Sequence, residues 1–180
     1  MIQPWKLLGS RHIENLSIAR IRADKKISPR NGVEYEFIVL DCPNWVNVIA
    51  LTPDRHLIMV EQFRHGTNTV ELEIPGGVMD ASDHLPLDAG LRELREETGY
   101  TGEKACIIGK VFPNPAIMNN TCYTVLVENC TRTHDIAMDH TEDIQTRLVP
   151  LDEAFHLLRE GHIRNSLVVV AFHFFRQWLA

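Results

Sequence analysis

Glu93, Glu96 and Glu97 stand at i, i+3 and i+4 within Arg92-Glu93-Leu94-Arg95-Glu96-Glu97-Thr98-Gly99-Tyr100. On a helix that spacing stacks three carboxylates on one face, away from the apolar stripe of Leu87, Leu91 and Leu94. Clustered anions repel one another, so such a face calls for solvent or for a divalent cation. Hard cations such as Mg²⁺ take oxygen ligands and usually bring substrate phosphates with them. Alone, an E-x-x-E-E face is more often a solvated acidic surface. Its surroundings weigh the other way, because Glu73-Ile74-Pro75-Gly76-Gly77 ends a strand a short loop earlier. A glycine-rich strand end beside a carboxylate helix gives the backbone close access to a metal-bound phosphate. Arg92, four residues before Glu96, can orient that carboxylate. Gly99 sits where a helix C-terminal cap belongs.

The elements that must position this helix are mostly strands. Asn31-Gly32 is a tight-turn signal, placing a hairpin between a strand over residues 16–21, with Leu16, Ile18 and Ile21 as candidate inward residues, and the alternating Val33, Tyr35, Phe37 and Val39. Pro43 and Asn44 break it. Residues 45–51 and 56–63 read as strands around Pro53-Asp54-Arg55, and residues 69–74 as another. The period then changes to helical. Residues 104–112, 121–128 and 144–149 return to strand. Leu151, Phe155 and Leu158 mark a second helix stopped by Gly161, and Ile163, Leu167, Val170 and Phe174 mark a third. Strands, one helix, more strands and two helices make a mixed α/β layered domain.

Composition narrows the function classes. The 180 residues are 44% apolar, enough for one domain with a real core. Lys plus Arg total 18 and Asp plus Glu 24, a formal charge of −6. A nucleic-acid binder held by phosphate contacts would be basic, so that class is disfavoured. Cys42, Cys106, Cys122 and Cys130 form no C-x-x-C, which fits reduced thiols and gives neither a zinc site nor a disulfide framework. The apolar run over residues 167–175 is too short to span a bilayer, and the opening residues have no signal-peptide character. A cytoplasmic protein with no membrane partner is expected.

Residues 92–100 resemble the second half of the Nudix hydrolase signature, G-x5-E-x7-R-E-U-x-E-E-x-G-U with U aliphatic, Tyr100 taking the last position. The first half departs. Counting from Gly77 the acidic position falls on Asp83, and the gap from Asp83 to Arg92 is one residue longer than the signature allows. The resemblance extends to Val60-Glu61-Gln62-Phe63-Arg64-His65, to Glu71-Leu72-Glu73-Ile74-Pro75-Gly76-Gly77, and to the segments 142–154 and 160–165. These look like the ADP-ribose pyrophosphatase and nucleoside diphosphate sugar hydrolase branch.

The resemblance implies a Nudix fold, a mixed β-sheet in an α/β/α sandwich. Residues 1–43 would form an N-terminal antiparallel β extension, swapped in a homodimer, and residues 44–180 the hydrolase domain. It implies Mg²⁺ as cofactor, with Mn²⁺ a possible substitute, and water attack on a pyrophosphate. Glu93, Glu96, Glu97, Glu142 and the Gly76 carbonyl are the implied metal ligands, with Arg92 orienting a carboxylate. Glu142 or His140, in Asp139-His140-Thr141-Glu142-Asp143, would activate water; His140 could equally be a bystander. Arg64 would contact the diphosphate, oriented by Glu73 or, alternatively, with Glu71 in that role. Trp45 could stack on a base or serve as a core aromatic. The loop 112–120 lacks the Gly and Glu usual for ADP-ribose enzymes and offers Asn119 and Asn120 to sugar hydroxyls, which widens the expected substrate from ADP-ribose to ADP- or GDP-hexoses. Another nucleotide class, or a non-catalytic nucleotide-sensing domain, are the alternatives.

Overall fold

Three antiparallel strands open the chain: β1 (Lys6–Asn15), β2 (Arg20–Ile27) and β3 (Glu34–Asp41), ordered β1-β2-β3. The structure, a computed structural model, describes residues 1–138 and 140–180; Asp139, part of the acidic segment singled out above, lies outside the described residues. Gly32 turns the β2–β3 hairpin at φ +70°, a conformation that glycine adopts without steric penalty. Residues 16–21 do not form the expected strand. The Leu16 N–H donates to the Ala19 carbonyl, and this turn delays β2 to Arg20 and leaves Leu16 and Ile18 exposed. These strands and residues 112–121 form one compact unit, in which Leu40 bridges Met118. On its exposed surface Trp5 packs edge-on against Tyr35 and Phe37, with ring centroids 5.7 and 5.3 Å apart.

The second unit holds residues 45–111 and 122–180. Its elements are β4 (Trp45–Ala50), β5 (His56–Arg64), β6 (Thr69–Glu73), β7 (Gly76–Val78), α1 (Pro86–Thr98), β8 (Tyr100–Thr101), β9 (Lys104–Val111), β10 (Cys122–Glu128), β11 (Thr131–Arg132), β12 (Ile144–Pro150), α2 (Leu151–Arg159) and α3 (Ser166–Trp178). One sheet runs β7-β4-β10-β9, with β4 and β10 parallel; another runs β12-β5-β6; β11 pairs with β8.

Strand alternation decides which helix each residue meets. Val48 and Ala50 of β4 and Val125 and Val127 of β10 pack with Ile58 against Leu94 of α1. Ile49 and Leu126, one residue out of phase, pack with Leu57 and Met59 against Phe172 and Phe175 of α3 and Ala154 of α2. Sheet lies between helices, the α/β/α layering expected. Strands buried on both faces read as apolar runs, which is why residues 46–50 of β4 and 57–60 of β5 hold Asn47 as their one polar residue. The stripe of α3 differs from expectation. Val168, Ala171, Phe172 and Phe175 are its buried residues, while Ile163 precedes the helix. Apolar side chains cover most of this helix, so periodicity cannot rank its faces; contact with Phe155 of α2 selects Phe172 and Phe175. Among the described residues no helix is long and apolar enough to cross a membrane.

Candidate active site

The loop after β6 and helix α1 build the site together. Leu87, Leu91 and Leu94 turn toward the apolar cluster, and Gly99 closes the helix at φ +77°, its N–H donating to the Arg95 carbonyl. Glu97 is thereby driven into the interior, 2% exposed. The Gly76 N–H donates to Glu97 Oε2 at 3.0 Å. Gly76 can lie there only without a side chain, because a Cβ would meet the Val46 carbonyl and, at 2.8 Å, Asn47 Cα. Gly77 is equally tied to the acidic face, since a Cβ on it would lie 2.5 Å from Glu93 Oε1.

Burial raises the pKa of Glu97 to about 8, against the Gly76 N–H and Arg64, with the Glu93 and Glu142 charges adding to the rise. Burial likewise raises Glu93 to about 7, opposed by Arg92 and assisted by Glu142 and Glu96. Two carboxylates that resist ionisation near neutral pH mark anionic sites short of positive charge. Glu142, exposed in the segment before β12, lies near enough to bear on both.

Arg92 sits among four carboxylates. Its Nη1 donates to Glu93 Oε1 (3.0 Å) and Glu96 Oε2 (3.1 Å). Its Nε and Nη2 donate to Asp83 at 3.2 and 2.9 Å, with Asp80 at 3.7 Å, and Nη2 also reaches the Val78 carbonyl. Asp83 therefore does have a place: the longer loop still returns it to Arg92, which holds its carboxyl below the usual range. Arg92 is engaged with carboxylates on several sides.

Arg64, at the end of β5, forms a two-bond fork with Glu73 of β6, Nε to Oε1 and Nη2 to Oε2, both 2.8 Å. Glu73 is buried and holds Arg64, whose side chain remains 43% exposed. Bonding to Glu73 raises the Arg64 pKa, and the charges of Glu97 and Glu142 add to this. Glu71 is not an alternative partner. It accepts from Arg164 Nε and Nη2 at 3.1 and 2.6 Å.

The remaining expected residues divide. Trp45 is half-buried on β4, opposite Val78 and Cys122. His140 is exposed. Asn119 and Asn120 bond to neighbouring residues of the chain. Asn119 accepts from the Cys42 N–H and donates to Asp41, and Asn120, 1% exposed, donates to the Pro43 carbonyl. Short amides in a loop bond their neighbouring backbone as readily as a ligand, and here they fasten residues 41–43. Sequence reasoning missed Asn165, whose Nδ2 donates to Glu73 Oε2 at 2.8 Å. Its sequence signals were the end of the segment 160–165 and a position ahead of an apolar helical run, which suggests a cap.

Among the described residues no three His, Cys, Asp or Glu side chains are already arranged to hold a metal ion. The expected set of Glu93, Glu96, Glu97 and Glu142 gathers beside α1, but Arg92 and the Gly76 N–H draw the oxygens of the three helical carboxylates to themselves. The donor chemistry nonetheless fits a hard divalent cation: all-oxygen ligands, two of them buried and short of positive charge.

The NUDIX domain profile matches residues 43–170. The chain belongs to the Nudix family. It is an enzyme of the Nudix hydrolase type, and several of its relatives are ADP-ribose pyrophosphatases, as the sequence resemblance implied. It is 28% identical over 145 residues to the ADP-ribose pyrophosphatase of Bacillus subtilis, covering 80% of this chain and 78% of that one. It is 27% identical over 167 residues to the methanol dehydrogenase activator of Bacillus methanolicus, covering 92% and 89%. The crystal structure of an ADP compounds hydrolase superposes with a TM-score of 0.86 at 21% identity, covering 99% of this chain and 96% of that one, a likeness of fold. Nudix hydrolases generally use divalent metals, in keeping with the donor set.

Proposed function

We propose that this Nudix hydrolase cleaves the pyrophosphate bond of nucleoside diphosphate sugars, of the ADP-ribose, ADP-glucose or GDP-mannose type, with Mg²⁺ as cofactor and Mn²⁺ able to replace it. The products are a nucleoside monophosphate and a sugar phosphate. The observation that carries the reading is the pair of buried carboxylates, Glu93 and Glu97, with raised pKa values beside the exposed edge of Arg64. The ADP-ribose pyrophosphatases among the relatives support the substrate class.

Glu93, Glu96, Glu97, Glu142 and the Gly76 carbonyl would hold the cation. Bound there, it supplies neutralisation of phosphate charge and a lowered pKa for a coordinated water. The chain's own residues do the rest. Arg64, fixed by Glu73, offers its outward N–H groups to a diphosphate oxygen, a geometry that guanidinium matches well. Arg92 and Asp83 hold the acidic face in register. Glu142 or His140 accepts the proton of the attacking water, and the indole of Trp45 is available to a base. Water adds its oxygen to one phosphorus, and the bridging oxygen leaves on the other phosphate. Residues 1–43 form a β extension through which two copies of this cytoplasmic protein dimerise; the exposed Trp5, Tyr35 and Phe37 cluster supports that role.

Incubation with ADP-ribose and Mg²⁺, followed by anion-exchange chromatography, tests the reading. Equal amounts of AMP and ribose 5-phosphate are expected. Intact ADP-ribose and intact ADP- and GDP-hexoses after prolonged incubation with either metal would refute it.

A further inference from the structure

Glu73 is a buried carboxylate whose two oxygens receive three donors. Two come from Arg64 and the third, at 2.8 Å, from Asn165 Nδ2, far along the chain. Asn165 is itself fixed. Its backbone is extended at φ −64°, ψ 120°, and its Oδ1 accepts from the Leu167 N–H as the N-cap of α3. The two ends of one planar amide thus do two jobs. One end caps a 13-residue helix that is anchored by Phe172 and Phe175 in the core. The other end sets the plane of the Glu73 carboxylate, and a two-bond fork copies that plane onto the guanidinium of Arg64.

We propose that Asn165 is a positioning residue for the hydrolytic reaction, acting through Glu73 to aim Arg64. A carboxylate joined only to Arg64 could rotate with it as a unit about both side-chain axes. The third donor removes that freedom, because it ties the pair to a helix whose own position is set by packing. An aspartate at this place would cap α3 equally well, yet it could not donate to Glu73 and would set a carboxylate against a carboxylate. Asparagine is the residue that satisfies both ends at this geometry. This inference rests on the reading that Arg64 touches the substrate.

The test separates capping from aiming. Asn165→Ser and Asn165→Asp both retain an oxygen for the Leu167 N–H, and both lose the bond to Glu73. Each is compared with Arg64→Ala, and Asn165→Ser is combined with it in a double-mutant cycle. Asn165→Ser is expected to lower kcat/KM for ADP-ribose about tenfold, with the melting temperature within about 3 °C of wild type, and to have no further effect once Arg64 is alanine. In ¹⁵N spectra the Arg64 Nε–H signal, assigned by its loss in Arg64→Lys, is expected to be slow to exchange in the wild type and fast in Asn165→Ser. Wild-type kcat/KM in Asn165→Ser, or an equal loss in both Arg64 backgrounds, would overturn the inference while leaving the reading of Arg64 intact. Wild-type kcat/KM in Arg64→Ala would overturn that reading and this inference with it. Unchanged exchange of the Arg64 Nε–H would overturn the inference whatever the substrate.

Discussion

Replacing Glu97 by glutamine should stabilise the metal-free protein while abolishing turnover. Glu97 is 2% exposed, and its pKa is pushed up to about 8, chiefly by burial. A carboxyl whose pKa is higher folded than unfolded binds more protons in the folded state between the two values. Its stabilising protonation is complete below the unfolded value of about 4.3 and is lost as pH rises through about 8. Each whole pH step between the two values removes about 1.4 kcal/mol. Relative to a neutral isostere, Glu97 therefore costs about 4 kcal/mol at pH 7 and about 5 kcal/mol at pH 8.5. Glutamine keeps an oxygen for the Gly76 N–H, which donates to Glu97 Oε2. Loss of that bond's charge assistance and relaxation around the site cut the gain to about 2 kcal/mol or more. For a chain of this size that raises the melting temperature by about 4–8 °C. The assay is thermal unfolding in EDTA from pH 5.5 to 8.5. The gain of Glu97→Gln over wild type should widen with pH, and saturating Mg²⁺ should reverse the order by stabilising the wild type alone. A variant equal to or less stable than wild type in EDTA at pH 8.5 would refute the claim that a buried, uncompensated charge sits there.

Three further outcomes are expected. Gly77→Ala places a methyl 2.5 Å from Glu93 Oε1, so the flexible carboxylate must move; kcat should fall about tenfold or more with little change in melting temperature. Asp83→Asn removes the charge beneath Arg92, between side chains 6% and 19% exposed; it should cost about 1–3 kcal/mol in urea titration and lower kcat, whereas a silent substitution would return Asp83 to the status of a loop residue. Because Glu93 and Glu97 must shed protons to hold a cation, with pKa values raised to about 7 and about 8, Mg²⁺ affinity measured by calorimetry should rise steeply from pH 6 to 8; a flat profile would exclude these two as ligands.

The acidic helix was legible because each signal in it is local: the leucine stripe, the carboxylate spacing and the glycine that ends it. Gly76 and Gly77 read in the sequence as backbone access to a phosphate, and only the fold shows that their neighbours include Glu97 and Glu93. The Asn31-Gly32 hairpin was legible from turn chemistry. β1 was not, because its ten residues are all exposed and its register with β2 slips twice, so no alternation marks it. Asp83 was obscured by the extra residue in the loop, which shifts the count without moving the side chain from Arg92. Glu73 and Asn165 lie 92 positions apart, and nothing in either neighbourhood announces the other. Asn119 and Asn120 look like ligands of a sugar in the sequence because a loop amide looks the same whether its partner is substrate or backbone.

On the proposed function, the carboxylates of α1 and Arg64 form a metal-dependent site for a diphosphate joined to a sugar. The most direct measurement is anion-exchange chromatography of the products from ADP-ribose, ADP-glucose, GDP-mannose, a dinucleoside polyphosphate and a nucleoside triphosphate, each with Mg²⁺ and with EDTA. Turnover of the diphosphate sugars is expected with Mg²⁺, none in EDTA, and kcat/KM at least about tenfold lower for the last two. Equal turnover in EDTA, or preference for the dinucleoside polyphosphate or the triphosphate, would contradict it.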